Sequence, residues 1–224
     1  MKKFITLKMF NNLLKISLKN YALIWCIVFF SFVNNSFADN SKYLTKYASD
    51  LEKIENFLNK ITNLSAKFVQ DSNSEVVEGK FYLSRNPNSA GKMRIEYLAD
   101  PKILIIVNGA ILSYHDIELD EVSRLSTNTT PASFLTRPNI AFNSKDVEIT
   151  NIEKTANYIK VSVMKKNRKD AGEFSLIFNN QPFEFVKMQV KNDLDQIINV
   201  ELKNIDFQSK ISDKLFIIKN SDNE

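Results

Sequence analysis

From residue 147 onward, apolar and polar residues alternate with a period of two in one short segment after another, and only a few turn-forming residues separate each segment from the next. The segments read as strands at 147–152, 158–164, 172–178, 183–191, 197–207 and 215–219. Between them lie turn sequences such as Asn167-Arg168-Lys169-Asp170, Asn179-Asn180-Gln181-Pro182 and Asn192-Asp193. A period of two puts one face of each strand against a core. Connections this short join antiparallel neighbours, because a parallel pair needs a crossover of a dozen residues or more. Folds of alternating strand and helix are therefore excluded, and no helical repeat is present.

The preceding stretch continues the pattern. Phe81 and Leu83 alternate with Lys80, Tyr82 and Ser84, and Met93, Ile95 and Tyr97 with Arg94 and Glu96. Residues 102–107 form a nearly continuous apolar strand. Asn108-Gly109 then predicts a type I′ hairpin turn, with 110–116 returning. Ahead of the strands, Leu44, Tyr47, Leu51, Ile54, Leu58 and Ile61 are spaced at three and four residues, one face of a helix. Between the two strand-rich parts, residues 127–145 are polar. There Thr130 is a candidate N-cap, Pro131 a first helical residue, and Ala132-Ser133-Phe134-Leu135 a short apolar turn ending before Pro138.

A meander of this length must curl to bury one face. That face would carry Phe68, Phe81, Leu83, Ile95, Tyr97, Leu112, Tyr114, Val186, Met188, Ile198 and Val200, among others. Two helical segments are available to cover it, Phe134 and Leu135 lying on the shorter one. The expected architecture is mainly β: a single-domain, incomplete antiparallel half-barrel with a helical lid enclosing an apolar cavity. Composition alone leaves open a filled core of the same outline.

The N-terminus is of a different kind. Residues 1–20 hold five lysines and no acid, residues 21–33 are almost unbroken apolar sequence, and Ser36-Phe37-Ala38 precedes Asp39. This is the three-part pattern of a cleavable signal peptide, with the apolar run too short to span a bilayer. The expected organisation is a signal peptide at 1–38, with translation starting at Met1 or Met9, and one exported domain at 39–224. The whole chain has 30 Lys+Arg against 26 Asp+Glu, but without the leader the balance is 25 to 26. The basic excess belongs to export and is no nucleic-acid footprint. Cys26 and Trp25, the single cysteine and tryptophan, fall in the leader, so the domain has no thiol chemistry, and Cys26 lacks a lipobox.

Catalytic constellations are missing. His115 is the one histidine and reads as structural. No metal-ligand spacing, nucleophile elbow or glycine-rich phosphate loop occurs, and Asp116, Glu118, Asp120 and Glu121 read as a solvated turn. No enzyme activity, metal or cofactor is expected, and no basic aromatic surface for nucleic acid.

Several short motifs, in their order, carry a resemblance. Ala66-Lys67-Phe68-Val69-Gln70 looks like an A-x-F-x-Q strand, and the run from Gly79 to Arg85, with Pro87 beyond it, like a G-x-φ-x-φ-x-R-P strand. Arg94-Ile95-Glu96-Tyr97 follows, then the hairpin with Asn108-Gly109, Leu112 and Tyr114, and Thr130-Pro131-Ala132-Ser133-Phe134-Leu135. With the amphipathic helix in front, the series resembles the LolA family of periplasmic outer-membrane lipoprotein carriers. It departs from that pattern in Asn86, which separates Arg85 from Pro87, in the residues 88–92 that extend that turn, and in Asn108, where Asp is usual. The resemblance implies a periplasmic, monomeric carrier that binds the acyl chains of lipoproteins. Its cargo would come from an inner-membrane ABC-type release complex and pass to an outer-membrane lipoprotein acceptor. The strand phase points Arg85 to the apolar side, where lid carbonyls would make it a latch. A periplasmic lipid-sensing or regulatory domain of the same fold remains the alternative.

Overall fold

The structure, a computed structural model, describes residues 40–218 apart from 73, 74, 131, 169, 170 and 193. The expected leader, Pro131, Asp193 and part of the 167–170 turn lie outside the described residues. Two helices come first, α1 (Asn40–Lys46) and α2 (Ala48–Lys60), where the sequence pattern suggested one; they join at Tyr47. Six strands follow: β1 (Asn63–Ser72), β2 (Glu75–Asn86), β3 (Ser89–Tyr97), β4 (Ile103–Asn108), β5 (Ile111–Asp116) and β6 (Glu121–Ser126). A connection containing the short α3 (Ala132–Leu135) leads to β7 (Val147–Lys154), β8 (Tyr158–Lys165), β9 (Glu173–Asn180), β10 (Phe183–Lys191) and β11 (Ile197–Asp206).

All eleven strands form one antiparallel sheet in the order β6-β5-β4-β3-β2-β1-β11-β10-β9-β8-β7. It is two meanders joined by the first strand pairing with the last, Phe68 opposite Leu202 and Gln70 opposite Val200. The sheet does not close, and β6 and β7 are its two edges. The segment that connects those edges in sequence supplies the lid.

Register explains the core. Leu64, Leu83, Met93, Val107, Leu112 and Leu125 stand opposite one another in a row across β1 to β6. On the other side Val161, Leu176, Met188 and Val200 make a matching row from β8 to β11. A slip of one residue would turn each row to solvent. Against this concave face α2 presents Leu51, Ile54 and Leu58, and the lid presents Phe134, Leu135, Ile140 and Phe142, all in one continuous cluster. α1 guards an edge. Asn40 donates from Nδ2 to the Val147 carbonyl (2.9 Å), and its Oδ1 accepts from Ile149 N–H (2.7 Å).

Four local expectations need correction. The β4–β5 turn is Gly109-Ala110, since Asn108 is still paired with Ile111. Gly109 has φ +61° and Ala110 is not in the positive region, the pattern of a type II′ rather than a type I′ turn. The β2–β3 turn is only Pro87-Asn88, and Ser89–Tyr97 is already strand. The strand expected at 215–219 is not formed over its described residues, 215–218. Asp213–Phe216 is a 3-10 turn whose Phe216 packs against Leu104 and Ile106 on the convex face, and Arg94 Nη1 donates to the Leu215 carbonyl (2.8 Å), fixing it there. Asp116 is buried rather than solvated, because its Oδ1 accepts from the Glu118 and Leu119 N–H groups.

Candidate functional site

The concave face is the candidate site. Phe68, Phe81, Leu83, Leu112, Met188, Phe134 and Leu135 are buried in its core, with Ile95, Tyr97, Tyr114 and Val200 half-buried against them. Ile198 is half-buried opposite Val190. Val186 differs. It stands at a β-bulge between Phe185 and Lys187, unpaired with β9, and Phe185 takes the buried place beside Phe178. A bulge inserts one residue and reverses the alternation beyond it, so the phase counted back from Met188 fails at Val186. Sequence reasoning also missed Ile140 and Phe142, whose two-residue spacing in a polar segment was the available signal.

Arg85 extends the row of Phe81 and Leu83 by one step toward the lid and is 8% exposed. Its guanidinium is held by neutral acceptors. Nη1 donates to the Leu58 carbonyl, Nη2 to Asn59 Oδ1 (3.2 Å) and the carbonyls of Arg137 (2.8 Å) and Pro138 (3.3 Å), and Nε to Arg137 O (3.1 Å). Leu58 and Asn59 are in the last turn of α2, where the helix dipole favours a cation; the Leu58 carbonyl also accepts from Ile61 N–H (3.2 Å). One side chain thus ties the sheet, the end of α2 and the lid together. Burial lowers its pKa from the ordinary value, yet a guanidinium stays charged at any physiological pH. The protein therefore supplies backbone dipoles where water would otherwise solvate it.

The lid backbone has further ties. Asn59 pairs with both groups of Ile140, donating to its carbonyl and accepting from its N–H, each at 2.8 Å. One turn earlier on α2, Glu55 Oε1 accepts from Phe142 N–H (2.6 Å). Gly91 N–H donates to Thr136 O (2.7 Å), and a Cβ on Gly91 would stand 3.2 Å from Thr136 Cα and 3.1 Å from Arg85 Cγ. Arg137 makes a two-pronged pair with Asp146 (3.1 and 2.5 Å). Burial raises the pKa of Asp146, but the Arg137 hydrogen bond and charge outweigh it and hold the carboxyl below its usual range.

In this closed arrangement the lid covers the concave face as expected, and the space enclosed beneath it is small. Beneath α3 a space of about 30 Å³ remains, lined by Phe134, Val147, Val163 and Phe174 among others, and a volume of that size holds about one water. The side chains of α2 and the lid pack against the concave face beside that space.

Polar groups interrupt the face away from the latch. Tyr97 donates from its hydroxyl to Gln70 Oε1 (2.8 Å), and its ring packs edge-on to Phe68, centroids 5.4 Å apart. Burial, with the neighbouring Tyr114, pushes the Tyr97 pKa up to about 12. Among the described residues no three His, Cys, Asp or Glu side chains are placed to hold a metal. His115 faces the convex side. Its Nε2 is 3.2 Å from Asp120 Oδ1, and its Nδ1 is buried without a partner among the described residues.

The profile of the LolA family, described as "Outer membrane lipoprotein carrier protein LolA", matches residues 59–219. An uncharacterized protein of Rickettsia prowazekii (strain Madrid E) is 24% identical over 186 residues, covering 83% of this chain and 80% of that protein. Among solved structures, a LolA superfamily protein from Nitrosomonas europaea is 11% identical with a TM-score of 0.41, over 75% of this chain and 97% of that one. The Pseudomonas aeruginosa MucA/MucB complex contains a chain 11% identical, TM-score 0.43, over 77% of this chain; the present chain spans only 61% of that one.

Proposed function

This chain belongs to the LolA family, and on that premise we propose that it is a periplasmic carrier that shelters the acyl chains of lipoproteins between the inner membrane and an outer-membrane acceptor. The observation that carries the reading is the attachment of the lid. An apolar face spanning eleven strands is covered by elements that hydrogen bonds gathered at Arg85, Asn59 and Glu55 hold to the sheet and to one another. Such hydrogen bonds exchange with water at a net cost of about 1 kcal/mol each, more where Arg85 donates, and acyl chains can replace the apolar contacts of Phe134, Leu135, Ile140 and Phe142 that opening exposes.

The need for a carrier follows from the cargo. Burying a methylene is worth about 0.8 kcal/mol, so one chain of about fifteen costs on the order of 12 kcal/mol to hold in water. Several chains per lipoprotein make unassisted crossing negligible. The closed state covers the apolar core of the empty face, and loading replaces the lid's Phe134 and Phe142 contacts by acyl contacts. The leader at 1–38 would deliver the domain to the compartment where this is needed. Cargo extraction would need ATP on the membrane side; this chain supplies only the sheltered face.

Incubating the exported domain with spheroplasts that retain labelled lipoproteins tests the reading. The expected result is labelled lipoprotein in the supernatant as a soluble complex with this protein. A supernatant free of lipoprotein, with phospholipid alone bound to the protein, overturns the carrier in favour of a lipid-sensing domain.

A further inference from the structure

Gln70 and Tyr97 sit on the concave face where every neighbour in register is apolar or glycine. Gln70 stands opposite Val200 on β11 and Val77 on β2, and Tyr97 stands opposite Gly79. Because Gly79 has no side chain, the Phe68 ring fills the space beside it, and Tyr97, packed edge-on to that ring, donates to Gln70. The bond fixes the amide: its oxygen accepts from Tyr97, so its NH₂ points elsewhere. That NH₂ has no hydrogen-bond partner among the described residues. The Tyr97 hydroxyl, having donated its proton, keeps an acceptor site and no donor.

Resting on the carrier reading above, we infer that Gln70, oriented by Tyr97, is a hydrogen-bond donor for the acyl carbonyl of the cargo, so that the face binds acyl esters and amides and not hydrocarbon as such. When acyl chains fill the concavity they expel the water that solvates the Gln70 amide. An N–H then left unpaired in apolar surroundings is costly. The one polar group an acyl chain carries is the carbonyl at its head, an acceptor that matches this donor. Arg85 lies six residues along β2 from Gly79, about 20 Å at strand rise, with Phe81 and Leu83 between them on the same face. A chain anchored by its carbonyl at Gln70 would run along those residues toward the lid. A site built to pair a polar group discriminates against ligands that lack it.

The test compares two synthetic ligands on the delipidated full domain: a cysteine lipopeptide with two ester-linked acyl chains, and its dialkyl ether analogue, which has no carbonyl. Affinities are read by displacement of a fluorescent fatty-acid probe. The wild type is expected to prefer the ester by roughly three- to tenfold, the worth of one hydrogen bond. Gln70→Leu is expected to bind the two equally. Tyr97→Phe, which keeps the ring and frees the amide to turn, is expected to shrink the preference and provides the second reading if Gln70→Leu does not fold. Equal binding by the wild type, or an undiminished preference in either folded variant, overturns the inference and leaves the carrier reading standing. Failure of the wild type to bind either ligand overturns both.

Discussion

The ring of Phe68 occupies the space where a side chain on Gly79 would stand. A Cβ there would overlap Phe68 Cε1 and Cζ and the backbone oxygen of Glu96. Gly79 is thus required for close packing, and its φ is not in the left-handed region. Gly79→Ala is expected to destabilise the domain by at least about 1–3 kcal/mol, the usual cost of overpacking, because one of the two clashing partners is backbone. Urea unfolding followed by far-UV circular dichroism measures it. A midpoint equal to wild type would show that the ring can move aside.

Arg85→Leu is expected to leave cargo uptake intact and slow hand-over. The variant removes five hydrogen bonds to four acceptors that exist together only when α2 and the lid are closed on the sheet. At about 1 kcal/mol for a typical bond, a loss of even 2 kcal/mol shifts the open-to-closed ratio roughly thirtyfold toward the loaded form. An assay scoring uptake and transfer separately reads this. The control is Arg124→Leu, exposed on β6. Arg94 is unsuitable as a control, since it anchors the C-terminal turn through Leu215. Transfer by Arg85→Leu at the wild-type rate would remove the latch role.

Alkaline pH should weaken the fold through Tyr97. Its pKa is about 12 in the folded protein against 10.0 for the free group. The folded state therefore retains a proton that the unfolded chain has lost, and the associated stability is complete below pH 10 and disappears as pH rises toward 12. Melting temperatures measured from pH 8 to 11.5 are expected to fall more steeply for wild type than for Tyr97→Phe. Parallel slopes would place the hydroxyl in contact with bulk water.

The exported chain is expected to begin at Asp39 and carry no lipid. Ser36-Phe37-Ala38 supplies the small residues that a signal peptidase requires, and Cys26 leaves with the leader. Intact-mass analysis of the periplasmic protein decides the point, and a mass that includes Cys26 with acyl chains would contradict the soluble-carrier reading.

The sheet was legible because alternation is a local signal that survives any tertiary context. Phe81 and Leu83, or Met93 and Ile95, declare their face from five residues of sequence. The pairing of β1 with β11 was not legible, since nothing local links Phe68 to Leu202 across more than a hundred residues. Bulges defeated the phase count at Val186, where one inserted residue exchanged the roles of Val186 and Phe185. The phase of Arg85 follows from Phe81 and Leu83, but its partners Leu58 and Pro138 are backbone carbonyls and have no sequence signature. The C-terminal turn looked like a strand because Leu215, Phe216 and Ile217 are apolar. Its burial depends on Leu104 and Ile106 reaching the convex face, which a continuous apolar strand conceals.

Asn40 gives the molecule a way of ending. A sheet edge is an open template for another chain, and on β7 one side-chain amide satisfies the Val147 carbonyl and the Ile149 N–H as a twelfth strand would. The protection is carried by a seven-residue helix and not by the sheet itself. Deleting α1 should leave two main-chain groups of β7 looking for partners, and the nearest supply in a concentrated sample is a neighbouring copy. Light scattering would then report growth of strand-paired polymers, with the Asn40→Ala protein between the truncated and the intact forms. The first residues of the folded domain thus act as a chain terminator for its own polymerisation.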